Sequence, residues 1–490
     1  MYFNFVGNTV FIQTNMVMKR ICFLLFILCF AQFAVAQEGV DCRLGFSYEI
    51  SNNGNWGKNK PVIMKVYPDS PAEKAGIRQY DIIEEIDGFK VNEISLDDVD
   101  SLLTSTENFE AKLVISNFSD SFKPVLITKE CISIYSLTES RLASAFSMYS
   151  VENTHDRLFV CPFTTSATRD EVDFSLFKSF DFVTVEDENI SGIETAINEI
   201  LKTELIKKGL RYNTLNPDFI IHTYYMVDKN PNFRRRSRAT ENQAPTIRYD
   251  IIRDRITQFP FYNLSTPESE SEYILQLGVR LIDQQYVQGR VLWESEANEL
   301  MSAPFSLEDY ASVHLPLMCM QFPYIKYNRN VQFILTKKGF NYTGINYNIY
   351  KLNEVVEVDP FSPAYEAGIR PGDIIERIDN KRMDYSSEEF TAAYRTFISM
   401  TVKFRDTETR FTDANGFPNC MFWDTFKYTQ ITKTIKNDKY KTVFSYLYAF
   451  APYVNPERNS LCTFNIRRNG EKSQIVVRPV FYSEKTIELN

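Results

Sequence analysis

Histidine is scarce in this chain: His155, His222 and His314 are the only three in 490 residues. A histidine base or a histidine-rich metal site would have to draw on these positions, and none stands in a His-Glu-x-x-His motif. No Gly-x-Ser-x-Gly turn occurs either. Zinc-hydrolase and nucleophile-elbow arrangements are thereby excluded. His155 lies at the entry to a strand-like run, His222 inside an apolar strand and His314 at the start of a helix, where each reads as an ordinary packed or surface residue. The carboxylate pairs Glu84-Glu85 and Asp97-Asp98 read as solvated faces. Cys-x-x-Cys is also absent, which removes zinc ribbons and thioredoxin-like redox pairs. Positive charge is in deficit, with 54 Lys and Arg against 63 Asp and Glu for a net charge of −9, so nucleic acid and anionic lipid are poor partners.

Long hydrophobic runs are missing too. The main one follows Lys19-Arg20, runs from Ile21 to Phe30 and ends at Ala34-Val35-Ala36 before Gln37. Its apolar core of roughly 13 residues falls short of the ~20 a spanning helix needs. A basic, apolar, small-x-small order predicts a secretory signal peptide over residues 1–36, starting at Met16 or Met18 and cleaved after Ala36. Cys29 is preceded by Phe26, Ile27 and Leu28, which lack the small residue of a lipidation site. Loss of Lys19 and Arg20 takes the formal charge from −9 to −11. The expected location is the periplasm or outer cell envelope of a Gram-negative bacterium. Six cysteines then remain, Cys42, Cys131, Cys161, Cys319, Cys420 and Cys462, in a compartment that permits disulfides. The residues alone leave 15 pairings open.

What the chain does contain is one phrase written twice: Ser70-Pro-Ala-Glu-Lys-Ala-Gly-Ile-Arg-Gln-Tyr-Asp-Ile-Ile-Glu-Glu-Ile-Asp87 and Ser362-Pro-Ala-Tyr-Glu-Ala-Gly-Ile-Arg-Pro-Gly-Asp-Ile-Ile-Glu-Arg-Ile-Asp379. In each, the serine predicts a helix cap, the proline its first residue, and Gly76 or Gly368 the left-handed residue that ends it. Ser70 and Glu73 add a capping box. Ile82, Ile83 and Ile86, with Ile374, Ile375 and Ile378, predict a short strand packed under that helix. Ahead of each phrase lies a glycine between apolar residues and a strand-like alternation, Arg43-Leu44-Gly45-Phe46 and Tyr342-Thr343-Gly344-Ile345. Together these features resemble the PDZ family.

The resemblance implies a partly open β-barrel with two helices in each copy, over residues 38–135 and 336–484. It also implies a loop whose backbone N–H groups face the terminal carboxylate of a partner peptide added as an extra strand. Leu44, Gly45 and Phe46 are the expected loop of the first copy, with Val99 and Leu103 of a helix over residues 96–103 lining its groove. Thr343, Gly344 and Ile345 are the counterparts in the second. Thr343 departs from the apolar Leu44, so the first copy is expected to be the working site and the second to bind more weakly or only to hold domains together. A β-branched residue at Gly45 is expected to weaken peptide capture without unfolding the domain. Cys42 and Cys131, at the outer ends of the first copy, are expected to pair, as are Cys161 with Cys319 and Cys420 with Cys462.

Residues 151–328 follow another pattern. Residues 158–163 and 180–185 predict strands. Ser191 to Lys208 predicts an amphipathic helix with a Ser191/Glu194 capping box and a stop at Gly209, and runs 218–226, 273–283 and 291–295 predict a strand meander. The order is that of an α+β domain. Lys-Lys-Gly-Leu, Asn-Pro-Asp218-Phe-Ile-Ile, Leu-Ile-Asp283, Gly289-Arg-Val-Leu-Trp293-Glu and the closing His314-Leu-Pro helix are similar to the bacterial envelope family known as domain of unknown function 4136. That family's activity is itself unknown, so fold and location follow, but no chemistry. Arg234-Arg-Arg-Ser-Arg238, with Arg248, Arg253 and Arg255 nearby, predicts a solvated loop. The second PDZ copy is interrupted over about residues 405–460 by an aromatic insert that includes Phe422, Trp423, Phe426, Tyr428, Tyr440, Phe444, Tyr446, Tyr448 and Phe450. The insert is expected to form a small core or to pack on the domain body. Its closing hairpin turns at Asn469-Gly470.

The fold class expected is therefore α+β: two PDZ-like domains, each able to bury its own core, around an α+β domain. The expected function is a non-catalytic envelope protein that binds partner proteins or protein C-termini. It should need no cofactor or metal and contact a membrane only through partners. The competing expectation is a protease or hydrolase accessory, or an unrecognised hydrolase, whose PDZ domains present substrate.

Overall fold

The computed structural model describes residues 40–489 apart from 106–107, 142–156, 184–190, 235–245, 263–265, 285–288, 330, 380, 385, 413–418, 428 and 431–460. The expected signal peptide, His155 and Arg235 to Arg238 lie outside the described residues. No helix among the described residues is long and apolar enough to cross a membrane.

The first module runs β1 (Val40–Arg43), β2 (Phe46–Ile50), β3 (Pro61–Val66), α1 (Pro71–Lys74), β4 (Ile82–Ile86), β5 (Phe89–Lys90), α2 (Leu96–Thr104), β6 (Glu110–Ser116), β7 (Lys123–Thr128) and β8 (Glu130–Ser133). Its open sheet has the order β2-β3-β4-β6-β7 with β5 on β4, while β1 and β8 pair separately. Ser70 caps α1 as expected, and Gly76 has φ +82°. The capping box is displaced by one residue, because the Glu73 carboxylate accepts from the N–H of Asp69 at 2.7 Å rather than from Ser70. A complete box forms instead on α2, between Ser95 and Asp98. Ile83 and Ile86 are buried with Ala72, Ile77, Val99, Leu103, Leu113 and Ile115 in the module's own core.

That core is not the module's only apolar contact. Trp56, Val62, Tyr80, Ile82 and Phe118 belong to the core of the middle domain. The Trp56 ring lies 4.6 Å from Phe118, which stacks on Phe322 at 5.5 Å. The Asn55 amide donates to the carbonyls of Asp170 and Val172 at 3.0 Å each. The first module thus buries a core of its own and is in addition fused to the middle domain by shared aromatic packing.

β9 (Ser136–Leu137) leaves the first module and joins the sheet of the second. The middle domain contains β10 (Arg157–Val160), β11 (Phe163–Ala167), β12 (Ser179–Phe182), α3 (Ser191–Lys207), β13 (Arg211–Tyr212), β14 (Phe219–Lys229), β15 (Ile247–Asp250), β16 (Arg255–Gln258), β17 (Tyr273–Asp283), β18 (Arg290–Met301) and α4 (Leu307–Cys319). Its six-stranded sheet has the order β11-β18-β17-β14-β12-β13. β12 is parallel to both its neighbours, and the rest is antiparallel. The single strand expected over 158–163 breaks at Cys161-Pro162, where proline lacks the N–H a ladder needs, and its two halves enter different sheets. The Glu194 carboxylate accepts from the hydroxyls of Thr223 and Tyr225 at 3.1 and 3.2 Å, while the side chain of Ser191, the other half of the expected capping box, lies outside the described residues. Gly209 does close the helix, with φ +98°.

His314 lies inside α4 rather than at its start. It is buried, stacks on Tyr310 at 4.1 Å and has Nδ1 at 3.0 Å from the Tyr310 carbonyl. Burial lowers its pKa to about 3, so the ring is neutral. His222 is half-buried within β14. Arg248 is buried in a two-point ion pair with Glu299 and is not part of a solvated loop.

The second module comprises β19 (Gln332–Tyr342), β20 (Ile345–Asn348), β21 (Lys351–Val358), α5 (Pro363–Ala367), β22 (Ile374–Ile378), β23 (Lys381–Arg382), α6 (Ser387–Thr401), β24 (Cys462–Arg468), β25 (Glu471–Val477) and β26 (Val480–Leu489). Its sheet has the order β25-β24-β22-β21-β20-β9 with β23 on β22, while β10, β19 and β26 form a separate sheet that ties it to the middle domain. Gly368 caps α5 with φ +98°, and Asn469 and Gly470 turn the closing hairpin with positive φ. After α6 the chain makes a short 3₁₀ turn, Val402–Phe404. There Arg405 turns inward, donates to the Met421 carbonyl at 3.0 Å and lies over the ring of Trp423. Phe422 is buried and stacks on Phe411 at 4.6 Å, with the Arg157 guanidinium over its ring at 4.9 Å, so this part of the insert packs on the body. Phe426 is exposed. Tyr428, Tyr440, Phe444, Tyr446, Tyr448 and Phe450 lie outside the described residues.

Of the three expected disulfides, Cys42–Cys131 is formed across directly opposed positions of β1 and β8. Cys161, Cys319, Cys420 and Cys462 are buried thiols instead. Bracketing a domain in sequence did not place these cysteines opposite one another. Burial pushes the thiols of Cys161 and Cys319 up to about 12.

Candidate peptide grooves and their carboxylate loops

The loop Leu44-Gly45-Phe46 joins β1 to β2 and is held from inside by α1. Ala72 N–H donates to the Leu44 carbonyl and Tyr67 N–H to the Gly45 carbonyl, each at 2.9 Å, and the Ser70 hydroxyl donates to Gly45 at 3.0 Å. With its carbonyls bound inward, the loop leaves its N–H groups for something else. Among the described residues neither the Leu44 nor the Gly45 N–H makes a hydrogen bond. Beside it β2 is the edge strand of its sheet among the described residues, the kind of edge to which an extended segment can add.

Across the groove stands α2. Val99 and Leu103 are core residues, 2% and 5% exposed, so they form the floor and not the accessible wall. The side of α2 that reaches β2 is marked by Asp100, whose carboxylate accepts from the Tyr48 hydroxyl. Leu96, one turn earlier on that face, is 60% exposed. Phe46 is half-buried and Tyr48 packs edge-on to it at 6.5 Å. Tyr48, Leu96 and Asp100 were missed by sequence reasoning, which followed the apolar positions of the helix to the core.

Gly45 has φ +88°, and a Cβ there would lie 2.2 Å from Ser70 Cβ and 2.6 Å from Ser70 Oγ. The expectation of a clean binding variant is therefore revised. Gly45→Val should destabilise the module by at least ~2 kcal/mol through strain and overlap. Thermal unfolding checks this, and an unchanged midpoint would contradict the packing described.

The second loop, Thr343-Gly344-Ile345, is built alike. Ala364 N–H donates to the Thr343 carbonyl at 2.9 Å and Asp359 N–H to Gly344 at 2.8 Å, while Gly344 has φ +85° and packs on Ser362. Here, however, the N–H groups are occupied. Glu139 Oε2 accepts from Thr343 N–H at 2.7 Å and from Gly344 N–H at 3.0 Å, and the Thr343 hydroxyl donates to Oε1. The segment leading to Glu139 is an added strand: β9 pairs antiparallel with β20, Leu137 opposite Tyr347 and Ser136 opposite Asn348, and Ile349 N–H donates to the Tyr135 carbonyl at 2.9 Å.

Glu139 is 3% exposed. Burial raises its pKa to about 7 against the opposing effect of its three donors, and the nearby Asp359 adds to the rise. Asp359 is itself held by the Tyr342 hydroxyl at 2.6 Å and the Asn346 amide at 3.0 Å. Thr343 was legible as a departure from Leu44. Its use, a hydroxyl added to a carboxylate site, required knowing that Glu139 arrives there.

A cavity of about 480 Å³ lies between the first module and the middle domain, lined in part by Trp56, Tyr80, Asp81, Lys207 and Lys208. Burial raises Asp81 to about 6 and lowers Lys208 to about 8. None of the peptide-site residues expected from the sequence lines it. Among the described residues, no group of three or more His, Cys, Asp or Glu is placed to hold a metal ion.

Comparison with known proteins agrees with this layout. The PDZ domain family matches residues 62–116 and 354–393, and the domain of unknown function DUF4136 matches residues 164–324 between them. A crystal structure of a PDZ domain protein from Parabacteroides distasonis ATCC 8503 is 51% identical, with a TM-score of 0.76 over 92% of this chain and 100% of that one. The HtrA3 PDZ domain bound to a phage-derived ligand (FGRWV) is 16% identical over 19% of this chain and 88% of that one, with a TM-score of 0.16. PelC L103M from Paraburkholderia phytofirmans is 13% identical over 35% of this chain and 97% of that one, also at 0.16. At such scores these two carry no argument. No curated protein matches.

Proposed function

Because the chain belongs to the family of the Parabacteroides PDZ domain protein, two PDZ copies around a DUF4136 domain, we propose that it is a non-catalytic adaptor of the cell envelope. Its first PDZ groove captures extended, carboxylate-ended segments of partner proteins. The observation that carries this reading is the contrast between two loops of the same construction, one filled by a carboxylate and the other, among the described residues, with its Leu44 and Gly45 N–H groups unused beside an edge strand. The aromatic junction with the middle domain supports a groove presented on a rigid base. The packing role of His314 supports the non-catalytic part.

The experiment is a titration of the full chain with a library of peptides, each made as the free acid and as the C-terminal amide. Free acids are expected to bind and amides to fail. Leu96→Glu, on the exposed groove face of α2 and electrostatically favourable at a helix N-terminus, should leave folding intact and weaken binding by about tenfold, on the order of 1.4 kcal/mol. Equal binding of acids and amides, or insensitivity to Leu96→Glu, would refute the reading.

A further inference from the structure

We propose that residues 136–139 are an internal peptide ligand of the second PDZ copy, and that its groove is a latent site which takes an extended peptide with a free terminal carboxylate once this segment withdraws. The register supports it. Leu137 faces Tyr347, and continuing the same antiparallel ladder brings Glu139 level with Ile345, where a bound peptide would end. A chain that passes through this point has no terminal carboxylate to offer, and the side chain of Glu139 supplies one in its place. The Thr343 hydroxyl adds a third donor to the two backbone N–H groups.

The attachment is short, two paired positions and the bond from Ile349 to Tyr135. Its advantage is tethering. A segment held close by its own chain acts at millimolar effective concentration, which suffices to exclude weak competitors without tight contacts. Desolvation of the Glu139 carboxylate works against the clasp, as its raised pKa indicates. An external carboxylate of favourable sequence therefore competes with a ligand of modest intrinsic strength. This inference concerns only the second groove, and its readout is separate from peptide capture by the first.

The test is hydrogen exchange of the full chain, read at residues 135–139, 342–349 and 462–477. The probe is a synthetic peptide with the sequence of residues 132–138 followed by valine, as the free acid and as the amide. Glu139→Ala is expected to speed exchange at 135–139 and 342–349 by about tenfold or more, while 462–477 stays protected. The free-acid peptide should restore protection at 342–349 in this variant, and the amide should not. Unchanged exchange at 342–349 in the variant, or equal protection by both peptides, overturns the proposal. Should the variant also lose protection at 462–477, the wild-type chain decides. Millimolar free-acid peptide must expose 135–139 while 342–349 stays protected, and no change there overturns the proposal equally.

Discussion

Arg248→Ala is expected to destabilise the middle domain by roughly 3–5 kcal/mol, the usual cost of leaving a buried charge without its partner. Arg248 and Glu299 are 6% and 2% exposed. They meet at two points, one of them Nη2 to Oε2 at 3.0 Å, and the guanidinium also lies over Phe261 at 4.8 Å. Without Arg248, Glu299 keeps the Tyr310 hydroxyl at 3.0 Å, one neutral donor for a buried carboxylate. Tyr310 in turn stacks on His314, so the loss spreads into α4. Denaturant unfolding followed by Trp293 fluorescence checks this, since Trp293 is buried in the same domain core. A loss under 1 kcal/mol would contradict it. Replacing both partners, as in Arg248→Met with Glu299→Leu, should recover most of the loss, because no charge then remains buried.

Removing the Cys42–Cys131 disulfide, with Cys42→Ser and Cys131→Ser together, should cost the first module roughly 4–5 kcal/mol. The bond spans 89 residues, and closing so long a loop removes much of the unfolded chain's entropy. Two sites would feel it. Cys42 stands two residues before Leu44 of the open loop, and Cys131 five residues before Ser136 of the internal ligand. Hydrogen exchange resolved by region is the suitable measurement, because the shared core with the middle domain makes a single global transition a poor report. Protection in β1, β8 and the Leu44-Gly45 loop should fall first. Retention of wild-type protection in the reduced or doubly substituted chain would show that the ladder alone holds these strands.

The repeated phrase was legible because its information is local. A serine cap, a proline at the first helical position, a left-handed glycine and an isoleucine run act on neighbouring residues, so they read alike in both copies and folded alike. The Asn469-Gly470 turn was legible for the same reason. Errors arose where a residue's neighbours in space are distant in sequence. Arg248 read as solvated because its partner Glu299 belongs to another strand. The cysteine pairs after the first failed because bracketing a domain does not fix geometry, whereas Cys42 and Cys131 lie opposite each other in one ladder.

The sequence by itself determined two PDZ modules around a third domain and a glycine loop in each, since a left-handed backbone position and a helix cap are set by a few adjacent residues. Thr343 in place of Leu44 set the second loop apart, but only the tertiary structure decided what fills it. Thr343 and Glu139 are 204 residues apart in sequence and meet because β9 adds to the edge of β20. Pairing at a sheet edge depends on which strand the folded chain delivers there, a choice made by the packing of whole domains and written in no local motif.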